Sequence, residues 1–499
     1  MRTLLIATDD TITPLRAQLQ CADRVPSVVA ELVLTDAHDA DRLESLCREH
    51  RVERAVVSLP SGMVGERLAI RAALRRLGVL ERTVTPIDEM LGSEPGPIRT
   101  GSGRPAPDLG GLIGREARAI DRGLVGETIA GRTVLVTGAG GSIGSELVRT
   151  IAGFGPERLV LMERSENALF EIDRALAGRF PELQREAVLH DVVDAERTRE
   201  LCERYRPGVV LHAAAHKHVP LMEDHPAHAL NNNVFGTVSI ASAAAAVGAE
   251  RFVLISTDKA VHPSSVMGAT KRLAERYVQG LAAAATGPTR CCMVRFGNVL
   301  GSAGSVLTVW ANQIDEGGPI TLTDRRMTRY FMTIPEAASL VLQAGAMSGE
   351  GSRSGEVFVL DMGQPIAIAD LAERFVRSCG FEPVWCEQDG DGVPANIVGG
   401  VPIVVSGIRP GEKLHEQLAY DDEELTETPH PGIRRFIDPD EPDPAVLERM
   451  VADLGEARGA TDTQAVLDAI ARWIPDWGAG RQPGEHAAEL KPVPAHEAA

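Results

Sequence analysis

The sequence predicts the α/β class: a doubly wound parallel sheet preceded by a smaller α/β unit. Three observations carry this. Short apolar runs alternate with stretches at helical spacing, a glycine-rich turn sits between one such run and a helix, and polar clusters recur where the apolar runs end.

At 499 residues the chain exceeds one ordinary domain, and 44% hydrophobic with 24% charged residues describes a globular protein with a substantial core. Fifty-one basic against 70 acidic residues give a net charge of −19. That balance argues against nucleic acid or an anionic membrane surface as the main partner and leaves room for a local basic pocket. The seven cysteines are scattered, with only Cys291 and Cys292 adjacent, and no metal-ligand or CxxC spacing occurs. Reduced thiols and a cytoplasmic, soluble protein are expected. The chain opens on the strand-like run Arg2–Ala7, so no signal peptide is expected, and no apolar stretch reaches the roughly 18–20 residues that span a bilayer.

Residues 1–95 alternate short apolar runs (Leu4–Ala7, Val28–Leu34, Ala55–Leu59) with helix-like stretches such as Arg67–Leu77, which predicts a small Rossmann-like α/β domain. Its first strand leads into Thr8-Asp9-Asp10-Thr11, without the glycines that let backbone approach a diphosphate, so a structural or regulatory role is expected. Residues 96–125 read as a Gly/Pro-rich linker and 126–435 as the main α/β domain. Residues 436–474 read as closing helices, with Val446, Met450, Leu454, Val466, Ile470 and Trp473 at helical spacing. A Pro/Ala/Glu/Gly tail over 475–499 is expected to be disordered.

The run Thr133–Thr137 leads into Gly138-Ala139-Gly140-Gly141-Ser142-Ile143-Gly144, and helical spacing follows through Ile143, Leu147 and Ile151. Strand, glycine turn and helix in that order predict a dinucleotide site of extended Rossmann type. Gly138 permits the turn, Gly141 the approach of the diphosphate, and Gly144 close packing, while the helix N-terminus around Ser142 and Ile143 offers free N–H groups. The next strand ends at Glu163, 25 residues beyond Gly138, where a carboxylate accepts from ribose hydroxyls. That favours NAD over NADP, although Arg164 beside it keeps NADP open. Asp191 and Val192 follow another strand and are placed at the adenine edge.

Downstream, Val209–Leu211 runs into His212-Ala213-Ala214-Ala215-His216-Lys217-His218. The alanines let backbone pass close to the cofactor. The histidines have no carboxylate or cysteine partner at metal spacing, so no metal is expected; Lys217 and His218 read as polar lining of a pocket or as packing. The strand Phe252–Ser256 ends in Thr257-Asp258-Lys259, a hydroxyl, an acid and a base where a parallel sheet places its ligand crevice. Met267 and Lys271 follow at i,i+4 spacing and share a helix face.

His212 to Pro220 with Leu221-Met222-Glu223, Thr257 to Val261, Met267 to Lys271 and Arg295 to Ser302 resemble the CapD-like family of polysaccharide-biosynthesis UDP-N-acetylglucosamine 4,6-dehydratases, which are extended short-chain dehydrogenases. So do Gly317-Gly318-Pro319, Arg329 to Thr333 and Arg409-Pro410-Gly411-Glu412-Lys413. The resemblance spans roughly residues 105–435. Short-chain dehydrogenases normally pair a tyrosine with the lysine at the positions of Met267 and Lys271; one branch of this family has methionine there as well. Ala303 and Thr308 depart from the larger polar residue and the proline more usual in the family. Relatives of this length class carry transmembrane helices ahead of the first α/β unit, so the chain is expected to be a soluble form without them.

The resemblance implies a UDP-sugar substrate, a homo-oligomer, and conversion to a 4-keto-6-deoxy sugar by internal hydride transfer. Thr257 is then expected at the carbon-4 oxygen, Asp258 as the acid at the carbon-6 hydroxyl and Lys259 as the base at carbon 5, with Lys271 on the nicotinamide ribose. Lys259 or a water bound to Thr257 would take the carbon-4 hydroxyl proton. A lysine base near neutrality needs its pKa lowered by about 3, worth ~4 kcal/mol. Asn298 and Arg409 are expected at the nucleotide diphosphate, with Ser305, Thr321, Arg329 and Glu412 as further substrate contacts. A dehydratase on another nucleotide sugar, one stopping at the 5,6-ene, a 4-epimerase and a catalytically silent binding scaffold are the competing readings.

Overall fold

The computed structural model describes residues 2–20, 27–34, 39–59, parts of 63–83, 112–113, 118–284, 287–348, 354–386, 400–436, 443–460, 462–474 and 477. The expected linker lies mostly outside the described residues, as does the tail apart from Trp477. The chain forms two compact units. Residues 304–326 and 367–407, expected within the main domain, belong to the first unit together with residues 1–114.

In the first unit, β1 (Arg2–Ala7), α1 (Asp9–Gln20), β2 (Ser27–Val33), α2 (Asp39–Glu49), β3 (Arg54–Ser58) and β4 (Leu80–Thr83) form a four-stranded parallel sheet of order β2-β1-β3-β4. Leu4, Leu5, Ile6 and Ala7 are buried on both faces of β1, as a parallel strand covered by helices requires. Beyond β1, the hydroxyls of Thr8 and Thr11 hydrogen-bond at 2.9 Å, and Thr11 donates to the Ser58 carbonyl at 2.9 Å. The other segments of this unit form a three-stranded sheet, Ile320–Leu322, Gly400–Val405 and Glu382–Trp385.

The second unit contains α3 (Arg122–Ile129), β5 (Thr133–Thr137), α4 (Ser142–Ala152), β6 (Arg158–Glu163), α5 (Glu166–Arg179), β7 (Arg185–Leu189), α6 (Ala195–Tyr205), β8 (Val209–His212), α7 (Gly236–Ala246), β9 (Arg251–Ile255), α8 (Val266–Ala284), β10 (Arg290–Arg295), α9 (Ile334–Met347), β11 (Glu356–Leu360), β12 (Thr426–Glu427) and β13 (Ile433–Phe436). Their nine-stranded sheet has the order β12-β13-β11-β10-β9-β8-β5-β6-β7, parallel from β11 to β7 and antiparallel at β13 and β12. The α/β class and the extended Rossmann architecture are as the sequence predicts.

The chain winds outward in one direction from β5 to β7 and in the other from β8 to β10. The crevice outside the carboxyl ends of β5 and β8 is therefore the switch point where such sheets take ligands. Two helices, α10 (Pro444–Ala457) and α11 (Thr463–Trp473), close the C-terminal side. Met450, Leu454, Val466 and Ile470 are buried there, as their spacing predicts, and the core continues past residue 474 to a buried Trp477. Among the described residues no helix is long and apolar enough to cross a membrane.

Candidate active site

At the switch point, Gly138 turns the chain with φ of +65°. A Cβ at Gly144 would lie 2.0 Å from the Gly138 carbonyl oxygen, so only glycine lets α4 start this close to β5. Gly141 is the N-cap of α4 and brings no side-chain acceptor to the helix end, which leaves the first turn at Ser142, Ile143 and Gly144 suited to phosphate oxygens. Ser142 Oγ accepts from the Ala303 amide at 3.1 Å. Glu163 fastens this loop: Oε2 accepts from Gly140 N–H at 3.1 Å, and Oε1 from the amides of Arg164 and Ser165 at 3.0 Å each. Arg164 turns away from Glu163, toward Asn232 Oδ1 (3.3 Å), His216 Nε2 (3.2 Å) and Asp191 Oδ2 (3.7 Å). Val192 is buried beside them.

Across the crevice, Ala213 and Ala214 donate backbone N–H to Thr137, and Ala215 is exposed. His212 is sealed between the hydroxyls of Thr137 (2.7 Å) and Thr237 (3.0 Å). Burial first, then the charge of Lys271, push its pKa down to about 3, so it is a neutral core histidine. Lys217 and His218 are exposed. No group of three or more His, Cys, Asp or Glu side chains able to hold a metal occurs among the described residues.

The reactive triplet sits at the carboxyl end of β9, where Asp258–Ala260 form one 3₁₀ turn capped by Thr257. Thr257 is half-exposed and Asp258 fully buried. Thr257 Oγ1 donates to Asp258 Oδ1 at 2.9 Å, and Lys259 Nζ donates to the same oxygen at 3.0 Å and to Asn298 Oδ1 at 2.9 Å. Asn298, expected at a diphosphate, thus comes to Lys259 instead. Glu416 Oε1 lies 3.9 Å from Lys259 Nζ, in a cage completed by Arg329 at 3.9 Å and Lys413 at 3.8 Å.

Burial pushes Lys259 down, but attraction to Asp258 and Glu416 outweighs it and raises its pKa above the ordinary value. The lowering that such a base needs is overridden by Asp258 first and then by Glu416, 157 residues away in sequence.

Met267 is buried in an apolar cluster with Met222, Leu230 and Leu273. Gly268, next to it, lets α8 press on the reactive turn, because a Cβ there would lie 2.2 Å from the Lys259 carbonyl oxygen. Gly268→Ala is expected to cost about 1–3 kcal/mol of stability through overpacking, read as a lower urea midpoint. An unchanged midpoint contradicts this packing. Lys271 Nζ donates to the Ile255 carbonyl at 2.7 Å, and burial pushes it down to about 8 against the upward pull of Glu275.

Arg329 spends its guanidinium on the carbonyls of Thr328, Lys413 and Leu414, holding the 413–414 segment. Arg409 pairs with Glu412 at 2.6 Å on the surface. Ser305 and Thr321 lie in the first unit. There Ser305 holds the N-cap position of the helix Val306–Asp315 without a side-chain capping bond, and Thr321 is bracketed by the Gln313 amide, with 2.9 Å bonds to its hydroxyl and from its N–H.

Sequence reasoning missed Glu416 as a partner of Lys259, Lys413 as a partner of Glu416, and a buried network beneath the turn. In that network Glu275 holds Arg295 through two 2.8 Å bonds and accepts from Ser256 at 2.7 Å, Arg295 also reaches Glu423 at 2.6 Å, and Tyr420 donates to the Ala260 carbonyl at 3.1 Å. One signal for it exists in the sequence: Met267, Lys271 and Glu275 repeat every four residues on one face of α8.

Residues 134–437, more than half of the chain, match the family described as "Polysaccharide biosynthesis protein". The chain is 42% identical over 414 residues to the probable polysaccharide biosynthesis protein EpsC of Bacillus subtilis, covering 81% of this chain and 64% of that protein. Against the capsular polysaccharide biosynthesis protein CapD of Staphylococcus aureus it is 38% identical over 419 residues, covering 84% and 66%. It thus spans a little under two thirds of the length of both relatives. A UDP-N-acetylglucosamine 4,6-dehydratase (inverting) of Campylobacter jejuni is 29% identical over 299 residues, covering 59% of this chain and 80% of that protein. Among solved structures, Pen from Bacillus thuringiensis is 30% identical with a TM-score of 0.54, covering 63% of this chain and 89% of that one. With its family match and the glycine turn, reactive triplet and α8 face inside the matched region, the chain belongs to the polysaccharide biosynthesis protein family.

Proposed function

We propose that the protein is an NAD-dependent nucleotide-sugar 4,6-dehydratase acting on UDP-N-acetylglucosamine or a close UDP-hexose. The observation that carries this is the Asp258–Lys259 pair, an acid and a base 3.0 Å apart at the carboxyl end of β9, on the same sheet edge as the glycine turn. A 4-epimerase moves hydride without eliminating water and has no use for such a pair. The likeness to the Campylobacter jejuni dehydratase supports the same reading.

The crevice fits a nicotinamide dinucleotide. The α4 end without a side-chain cap, the positive-φ turn at Gly138 and the thin alanine wall at 213–215 leave room for a diphosphate and its sugars. Glu163 at the carboxyl end of β6 favours NAD, because a 2′-phosphate there would meet like charge. Bound in the crevice, the cofactor supplies a reversible hydride acceptor.

The chain's own residues handle the protons. Thr257 hydrogen-bonds the carbon-4 oxygen, Lys259 takes the proton from carbon 5, and Asp258 provides the proton that leaves with the carbon-6 hydroxyl as water. Asn298 and Glu416 hold Lys259 toward that carbon, and Lys271 orients the nicotinamide ribose. Lys217, His218, Arg409 and Glu412, all on the second unit, are proposed to receive the nucleotide, with Arg409 exchanging Glu412 for phosphate oxygens.

Incubation with UDP-N-acetylglucosamine and a panel of UDP- and dTDP-sugars, followed by mass spectrometry, tests the reading. Loss of one water from a nucleotide sugar is expected. Unchanged mass with altered stereochemistry identifies an epimerase, and unaltered sugars throughout identify a binding scaffold; both contradict it.

A further inference from the structure

Arg164 follows Glu163 at the carboxyl end of β6, and its side chain is 49% exposed. A guanidinium beside the adenosine ribose is what a 2′-phosphate calls for. Here that guanidinium is held elsewhere. Nη1 donates to Asn232 Oδ1 at 3.3 Å, Nη2 to His216 Nε2 at 3.2 Å, and Asp191 Oδ2 lies 3.7 Å away. A guanidinium only donates, so His216 Nε2 is the acceptor of a neutral ring. Burial first, and then the charge of Arg164, keep that ring below its ordinary pKa.

The acceptors are themselves fixed. Leu230–Phe235 form a π-helix between the turn Pro226–Ala229 and α7. Such wide turns are uncommon and recur at functional sites, and this one buries two consecutive asparagines, Asn232 and Asn233, at 6% and 1% exposure. Asn233 grips the His216 backbone from both sides: Oδ1 accepts its N–H at 2.8 Å and Nδ2 donates to its carbonyl at 3.1 Å. The same Nδ2 donates to Thr270 Oγ1 of α8 at 3.1 Å. Asn232 Nδ2 donates to Asn233 Oδ1 at 3.2 Å, which leaves Oδ1 as the end presented to Arg164.

We propose, resting on the nicotinamide dinucleotide reading of the crevice, that Asn232 and His216 moor Arg164 away from the adenosine ribose and thereby set selectivity for NAD over NADP. Glu163 repels a 2′-phosphate by its charge. The mooring adds a second, separable element, because it withholds the one cation that follows Glu163 in the chain and would otherwise offset that repulsion. Once released, the half-exposed Arg164 is free to pair with a 2′-phosphate.

Competition for the site tests this without any turnover. The full-length protein is equilibrated with equimolar NAD and NADP, freed of unbound nucleotide, and the retained ratio is measured by mass spectrometry. The wild type is expected to retain NAD over NADP by about tenfold or more, and Asn232→Ala to narrow that ratio about fivefold or more. His216→Phe keeps a ring, removes the acceptor and leaves the asparagine pair intact, so it should narrow the ratio as well and serves if Asn232→Ala fails to fold. Arg164→Met alone should change the ratio by less than about twofold, yet it should abolish the narrowing when combined with either variant. A residue that only supports the fold would weaken both nucleotides alike and leave the ratio where it was. Ratios within about twofold of wild type in both Asn232→Ala and His216→Phe overturn the mooring, and so does a narrowing that survives Arg164→Met. If the wild type retains neither nucleotide, the nicotinamide reading falls and takes the mooring with it; if it retains NADP as well as NAD, the selectivity assigned to Glu163 and to the mooring falls while the nicotinamide reading stands.

Discussion

Lys259→Met is expected to lower turnover about 10²–10⁴-fold, the range for removing a general base, and Asp258→Asn to do the same by removing the acid. The Lys259 ammonium lies between Asp258 Oδ1 at 3.0 Å and Glu416 Oε1 at 3.9 Å, which together hold its pKa above 10.5 despite burial. The base works only after that proton leaves. Since the folded pKa is raised, the reactive neutral amine grows as pH rises, and kcat/KM should climb through the neutral and mildly alkaline range. Glu416→Gln removes one of the two opposing charges and should move that climb to lower pH. A flat profile, or wild-type turnover in Lys259→Met, contradicts the assignment.

The second large effect concerns stability. Arg295 and Glu275 are both 0% exposed, joined by two 2.8 Å bonds, and Arg295 reaches Glu423 at 2.6 Å. Removing one member of a buried pair leaves an uncompensated charge, so Arg295→Met is expected to cost about 3–5 kcal/mol in urea unfolding. The pH dependence has a definite sign. Burial pushes Glu275 up, but Arg295, Arg272 and Ser256 outweigh it and bring it down to about 2 from an ordinary 4.5. A lowered carboxylate stabilises fully above the ordinary value and loses that contribution as pH falls toward 2. Glu275→Gln should flatten this acid limb. A cost below about 1 kcal/mol for Arg295→Met contradicts the claim that the network supports the reactive turn. Because Glu275 also accepts from Ser256, one residue before Thr257, a fall in kcat beyond the loss of folded protein is expected as well.

What the sequence made legible follows from the range of each interaction. Strand, glycine turn and helix at 133–151 are adjacent in the chain, so the crevice at β5 and β8 could be placed from spacing alone. The triplet 257–259 could be placed at a strand end for the same reason. The partners of that triplet could not. Asn298 and Glu416 reach Lys259 from 39 and 157 residues away, and nothing local in Leu414-His415-Glu416 marks the glutamate as a neighbour of a lysine in the turn after β9. Arg409 and Arg329 illustrate the opposite difficulty. A guanidinium in a motif reads as a substrate ligand, yet Arg409 holds Glu412 and Arg329 holds three carbonyls, because both groups satisfy their donors within the protein. The division of residues 126–435 between two units was hidden for a related reason. Residues 304–326 and 367–407 are α/β in pattern like their neighbours, and no composition shift marks where the chain leaves one unit for the other.

Internal hydride transfer at one sugar is the central claim, and an isotope follows it directly. UDP-N-acetylglucosamine carrying deuterium at carbon 4, incubated with the protein and NAD in ordinary water, should lose one water and carry the deuterium at carbon 6 of the 4-keto-6-deoxy product. Product without deuterium at carbon 6, or substrate recovered at full mass with its label still on carbon 4, would contradict the account.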